Sequence, residues 1–236
     1  MTNVSVAAAC GTEDPVNIAI IGSGNIAKAL GANAVRAGHE VVIASLHADR
    51  AVETAAQIGA TSAQSLPEAV RGSDVVILAV PATVAADVAK VISADVADKV
   101  VVDVTNPLKG DMSGLFTDAT SIAEQLAQIL DDAHLVKGFN TLFGSVQANP
   151  EMLGTKLDAL FATDSDKARD TFAELAQSLG FRPVHIGPLA AARELEAMAL
   201  LNIRLQIVAN GPWQSSFVLV GAPTGATREL QADKAA

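Results

Sequence analysis

Asn17-Ile18-Ala19-Ile20-Ile21-Gly22-Ser23-Gly24-Asn25-Ile26-Ala27 decides the fold of this 236-residue chain. An apolar run of strand length enters a glycine turn and leaves it as an amphipathic helical pattern over 26–37. The G-x-G-x-x-G/A spacing carries meaning in that strand–turn–helix setting and little outside it. Gly22 permits the tight turn, Gly24 lets the backbone approach a pyrophosphate, and Ala27 keeps the helix close to the strand. The helix N-terminus, at Ser23, Asn25 and Ile26, aims unpaired N–H groups at the anion.

Outward from this loop, short apolar runs alternate with helical patterns, which is how βαβ units read. Strands are expected at 17–21, 40–45, 75–80, 100–104, 135–139, 158–163 and 183–186. Helices are expected at 26–37, 48–58, 65–70, 82–92, 121–130 and 166–179, with a last long one from 190 to about 208. Near-continuous Val/Ile/Leu runs suit parallel strands covered on both faces. The fold class is therefore α/β: a Rossmann-type doubly wound, mostly parallel sheet with a C-terminal helical segment. Four regions follow: a flexible arm at 1–14, a dinucleotide-binding domain at 15–188, the helical segment at 189–221 and a loose tail at 222–236.

Half the residues are hydrophobic and the formal net charge is −10. That charge excludes a nucleic-acid partner, which needs clustered Lys and Arg. No apolar run approaches the ~20 residues of a membrane helix, so the chain reads as soluble and cytoplasmic. The single cysteine, Cys10, excludes an internal disulfide and a thiolate metal site.

The second strand's end bears on cofactor choice. An NAD site places Asp or Glu about 20 residues past the glycines to bind the ribose 2′-OH. Here the stretch is Ser45-Leu46-His47-Ala48-Asp49-Arg50, with no acid at the strand end. Ser45 can donate to a 2′-phosphate, Arg50 can supply charge, and His47 can assist, so NADP(H) is expected. Ala79-Val80-Pro81 and Asn106-Pro107 end two further strands, where ligands of open α/β sheets bind, and wall the nicotinamide.

No G-x-S-x-G elbow, H-E-x-x-H helix or Cys–His pair is present, and His39, His134 and His185 read as structural. Hydride exchange between nicotinamide and another redox ring needs positioning more than proton transfer.

Several separated motifs together resemble the NADPH-dependent coenzyme F420 reductases, a domain also found in eukaryotic metalloreductases. They are Ile20-Ile21-Gly22-Ser23-Gly24-Asn25-Ile26, Val101-Val102-Asp103-Val104-Thr105-Asn106-Pro107-Leu108 and Val136-Lys137-Gly138-Phe139-Asn140-Thr141. Leu179-Gly180-Phe181-Arg182-Pro183 and Gly187-Pro188-Leu189-Ala190-Ala191-Ala192-Arg193-Glu194-Leu195-Glu196 complete the set. The resemblance implies a homodimer in which a deazaflavin lies over the nicotinamide for direct hydride transfer. It implies that Asn106, Asn140 and Thr141 line the cleft near the second ring, with Asn140 and Thr141 as acceptor-binding residues. Family members commonly carry Ser-Arg where this chain has Ser45-Leu46, which leaves Arg50 as the main charge.

The expected activity is NADPH-dependent hydride transfer with coenzyme F420 as leading partner. Two alternatives stay open: a same-fold reductase of a flavin, ferric complex or small imine, and a dinucleotide-sensing protein without turnover.

Overall fold

The computed structural model describes residues 15–150 and 154–221. The expected arm at 1–14, with Cys10, and the tail at 222–236 lie outside the described residues. The sheet is built from β1 (Asn17–Ile21), β2 (Glu40–Ala44), β3 (Thr61–Ser62), β4 (Val75–Leu78), β5 (Val100–Asp103), β6 (His134–Gly138), β7 (Asp158–Ala162) and β8 (Arg182–His185). Its order is β3-β2-β1-β4-β5-β6-β7-β8. Every neighbouring pair is parallel except β6 with β7. The helices are α1 (Asn25–Arg36), α2 (Ala48–Ile58), α3 (Leu66–Arg71), α4 (Ala82–Ile92), α5 (Ile122–Ala127), α6 (Gly144–Ala148), α7 (Asp166–Ser178) and α8 (Ala192–Ala209).

Alternation along each strand divides the core into two layers. Ile18, Ile20, Ile43, Ile77 and Val102 face one side with Phe139, Phe161, Phe172 and Phe181. The Phe172 ring centroid lies 4.7 Å from that of Phe139 and 4.6 Å from that of Phe161. Gly138 makes this possible, because a Cβ there would overlap the Phe172 ring. Ala19, Ile21, Val76, Leu78 and Val101 face the other side with α3, α4 and α5. Each fully buried Val, Ile or Leu side chain contributes roughly 1.5–3 kcal/mol, so the layers fix the sheet and leave its loop ends for binding.

Several helix ends are closed by side chains. Ser121 and Glu124 form a reciprocal capping box on α5, and Ser65 and Ser165 cap α3 and α7. Gly59, at φ 75°, closes α2 in the left-handed region. Strand order reverses between β2-β1 and β4, and such a switch point opens a crevice at the strands' carboxyl ends. β4 and β5 stop earlier than expected, because residues 79–81 and 104–106 turn into that crevice. No helix among the described residues is long and apolar enough to cross a membrane.

Candidate active site

The phosphate loop sits at the switch point. Gly22 N–H donates to the Ala44 carbonyl at 2.7 Å and Ala79 N–H donates to the Ile21 carbonyl at 2.9 Å, seating the turn between β2 and β4. At φ 137°, and with a Cβ that would overlap the Ala79 carbonyl, position 22 tolerates glycine alone. Gly24 caps α1, and a Cβ built there meets nothing within 4 Å. Helix α1 starts with no side-chain cap and no acidic residue in its first turn, so its orphan amides face open space. This uncapped, approachable terminus fits a pyrophosphate.

Toward β2, Ser23 Oγ and the His47 backbone N–H both donate to Ser45 Oγ at 3.2 Å. Ser45 thus accepts twice and keeps its own hydrogen for a ligand. Thr54 Oγ1 donates to the Ser23 carbonyl at 3.2 Å, lacing the loop to α2. Leu46, His47 and Arg50 are exposed, and the Arg50 guanidinium has no partner among the described residues. His47 precedes α2 without a side-chain cap bond.

On the other side of the loop a cavity of about 360 Å³ opens. Its wall brings together Gly24, Asn25 and Ile26 with Ala79, Val80, Pro81, Asn106, Asn140 and Thr141. Pro107, expected in the wall, is buried and does not line the cavity. Gly22, Ser23, Ser45, Leu46, His47 and Arg50 lie outside the cavity, at the opposite end of the loop. Residues 142–144 and Gln147, which no sequence pattern singled out, join the lining with Ala199 and Ile203 of α8. Phe139, at φ 57°, turns the chain directly after β6. Gln147 Nε2 holds the Phe139 carbonyl at 3.0 Å.

Asn106 and Asn140 lock the floor of the cavity. Asn106 Nδ2 donates to the Asn140 carbonyl, and Asn140 Nδ2 donates to Asn106 Oδ1, both at 2.9 Å. Asn140 Nδ2 also reaches the Leu195 carbonyl of α8 at 3.0 Å. Thr105 Oγ1, Asn140 Oδ1 and Gln147 Oε1 are buried without a partner among the described residues, and all three residues line this cavity. Unsatisfied buried polar atoms are few in folded proteins. Three such atoms cluster beside this cavity.

Behind Thr105 lies a charged cluster absent from the expectations. Lys137 Nζ donates to Asp103 Oδ2 at 2.8 Å, to Glu196 Oε1 at 3.0 Å and to the Thr105 carbonyl at 2.6 Å. Asp103 Oδ1 accepts from Thr105 N–H, and the Glu196 carboxylate accepts from Ile122 N–H at the start of α5. Burial pushes the Glu196 carboxyl above its ordinary range, against the pull of Lys137. A larger cavity, of about 780 Å³, lies at the amino ends of the strands, remote from the loop. The lysines there are engaged, Lys99 with the Ser73 carbonyl and Lys167 with Asp98.

Comparison with known proteins fits this geometry. The family model for coenzyme F420-dependent NADP oxidoreductases matches residues 17–107. The F420-dependent NADP reductase of Methanothermobacter marburgensis is 30% identical over 214 residues, covering 81% of this chain and 93% of that protein. The chain belongs to this F420-dependent NADP oxidoreductase family. The oxidoreductase also matches the metalloreductase STEAP3 of Rattus norvegicus at 30% identity over 184 residues, or 78% of its own length. It spans only 36% of that longer protein. In fold, it superposes with a TM-score of 0.78 on a provisionally assigned F420-dependent NADP reductase from Arthrobacter sp. FB24, at 20% identity. That match covers 87% of this chain and 100% of the other. The family makes the protein an NADP-dependent oxidoreductase, which favours an enzyme over a sensor without turnover.

Proposed function

We propose that this oxidoreductase passes a hydride between NADP(H) and coenzyme F420, with the two rings meeting in the 360 Å³ cavity. The observation that carries the reading is that one wall joins the phosphate loop to the ends of β4, β5 and β6 and to α8. NADPH supplies the hydride; the chain supplies position. The α1 amides hold the pyrophosphate, and the Ser45 hydroxyl and Arg50 hold the 2′-phosphate. Ala79, Val80 and Pro81 back the nicotinamide. Asn106, fixed by Asn140, sets the depth at which a ring can lie, and Thr141 borders the acceptor side. Ile26, Val104, Leu142, Phe143 and Ile203 exclude water from the space between the rings. Such positioning supplies much of the barrier reduction when no proton has to move with the hydride.

The match to a metalloreductase supports a second reading, in which a ferric complex takes the electrons. An acceptor screen that follows NADPH absorbance separates the two. Fast oxidation with F420 and slow oxidation with ferric complexes, flavins and imines is the expected result. Oxidation by ferric complexes alone selects the second reading, and tight NADPH binding without oxidation by any acceptor refutes both. We also propose a homodimer through α8. Its inner face buries Leu195, Ala199 and Ile203, while Leu201, Leu205 and Val208 remain exposed on the outer face. Twofold dimers are the commonest way to cover such a face. Light scattering at micromolar concentration should report twice the monomer mass.

A further inference from the structure

We propose that Lys137, Asp103 and Glu196 form a buried counter-charge that makes the site favour the oxidised, cationic nicotinamide over the reduced, neutral one. The inference rests on the reading that the nicotinamide enters the cavity whose wall contains Thr105.

Stability does not account for the cluster. All three side chains are 0–1% exposed, and buried ion pairs can often be replaced by apolar side chains of like volume without loss. What an apolar replacement could not supply is charge. Two carboxylates face one ammonium, and among the described residues Lys137 is the only cation bonded to either. Burial raises the Glu196 carboxyl, so the group carries one surplus negative charge, in a region shielded from water, once the pH lies above that raised value.

The charge stands one residue behind the cavity wall. The Thr105 carbonyl takes a hydrogen bond from Lys137 Nζ and the Thr105 N–H gives one to Asp103. On the α8 side, Glu196 directly follows Leu195, whose carbonyl holds Asn140. When the C4–H bond of the reduced cofactor breaks, both its electrons leave with the hydride and enter the acceptor. One positive charge stays on the nicotinamide ring, and the acceptor takes any proton it needs from solvent. A negative charge one residue behind the wall stabilises that cation and does nothing comparable for the neutral ring.

Glu196→Gln tests the inference. The amide oxygen can still accept from Lys137 and Ile122, so the packing survives while the surplus charge goes. Affinities for NADP+ and NADPH should be measured separately by calorimetric titration at pH 8. NADP+ should weaken about ten- to twentyfold and NADPH less than twofold, since unit charges about 10 Å apart at an effective dielectric near 20 interact on that scale. Asp103→Asn, which removes the other carboxylate, should shift the ratio the same way and serves if Glu196→Gln does not fold. Equal weakening of both forms would reduce the cluster to scaffolding and overturn the proposal, as would an unchanged ratio in a folded variant. The underlying reading is checked apart by Gly24→Val: if that variant still binds both forms normally, the cofactor does not lie along this loop and the counter-charge has nothing to act on.

Discussion

The two ends of the proposed binding cleft are built on opposite plans. At the β5–β6–α8 end, Lys137, Asn106, Asn140 and Gln147 all donate to backbone carbonyls of neighbouring segments, and all but the half-buried Asn106 are closed to solvent. At the β2 end, Leu46, His47 and Arg50 stand exposed, and the turn is ordered by hydrogen bonds at Ser45 and by Arg50 and Ala51 N–H groups donating to the His47 carbonyl. A hydride must be delivered within a fraction of an ångström, whereas a phosphate needs only charge and donors nearby. Rigid hydrogen bonding belongs where geometry limits the rate, and exposed, adaptable side chains suffice for the anchor. Substitutions at the first end should therefore cost stability, and those at the second should cost affinity.

The largest effect is expected at Lys137. Lys137→Ala leaves two buried carboxylates facing each other beside an unsatisfied Thr105 carbonyl, and removing one partner of a buried pair costs about 3–5 kcal/mol. Denaturant unfolding should lose roughly that amount, a large share of a typical domain's stability. A loss below 1 kcal/mol would mean that the networked end is no more rigid than the open one.

Between the two ends, Gly24 has a proposed role in binding and none in packing. Gly24→Val projects its side chain into space free of protein atoms within 4 Å, so melting should hardly change. Binding should fall beyond detection, because the pyrophosphate needs that space. Gly22 is the counter-example, since any side chain there overlaps the Ala79 carbonyl. If Gly24→Val unfolds the protein, the division between scaffold and ligand contact fails at this loop.

At the open end, Arg50→Ala removes a charge that no other described residue uses. Loss of a charged hydrogen bond costs about 1.5–3 kcal/mol, so NADPH binding should weaken roughly ten- to a hundredfold. NADH binding and the melting temperature should stay where they are. Equal loss for both cofactors would take Arg50 out of 2′-phosphate recognition.

The same contrast explains what the sequence could disclose. The phosphate loop and the parallel strands were readable because a glycine pair between an apolar run and a helical period has few other meanings, and fully buried strands are continuously apolar. β3 was not readable: Thr61 and Ser62 are polar and make only an edge pairing with β2. α6 has five residues, begins with Gly144 and lacks a helical period, yet it places Gln147 at the cavity. The antiparallel turn between β6 and β7 leaves no mark on composition. The buried cluster did leave one, in Val102-Asp103-Val104 and Val136-Lys137-Gly138, where charges interrupt strands too apolar to leave them in water. Such charges need partners, but only the fold shows that the third member comes from Glu196, 59 residues beyond Lys137.

The smallest effect sharpens the comparison because it joins the same two helices from outside. Glu196 ties α8 to α5 in the interior; Glu124 and Arg193 tie them at the surface, with N–O contacts of 2.5 and 2.8 Å. The Arg193 guanidinium and the Ser121 N–H hold the Glu124 carboxyl down to about 2. A depressed folded-state value means that this contribution is present above the ordinary value near 4.5 and is lost as pH falls through about 2. Because the Arg193 side chain is half exposed, solvent screening limits the contribution to about 1 kcal/mol. Glu124→Gln should therefore be less stable than wild type by about that amount at pH 7, with the gap shrinking steadily below pH 4.5. Glu196 runs the other way, since its raised value makes ionisation a cost that grows with pH. Urea unfolding of the wild type and Glu124→Gln from pH 7 to pH 3 gives the difference directly. A gap that stays constant across that range would show that the surface clamp contributes through packing rather than charge.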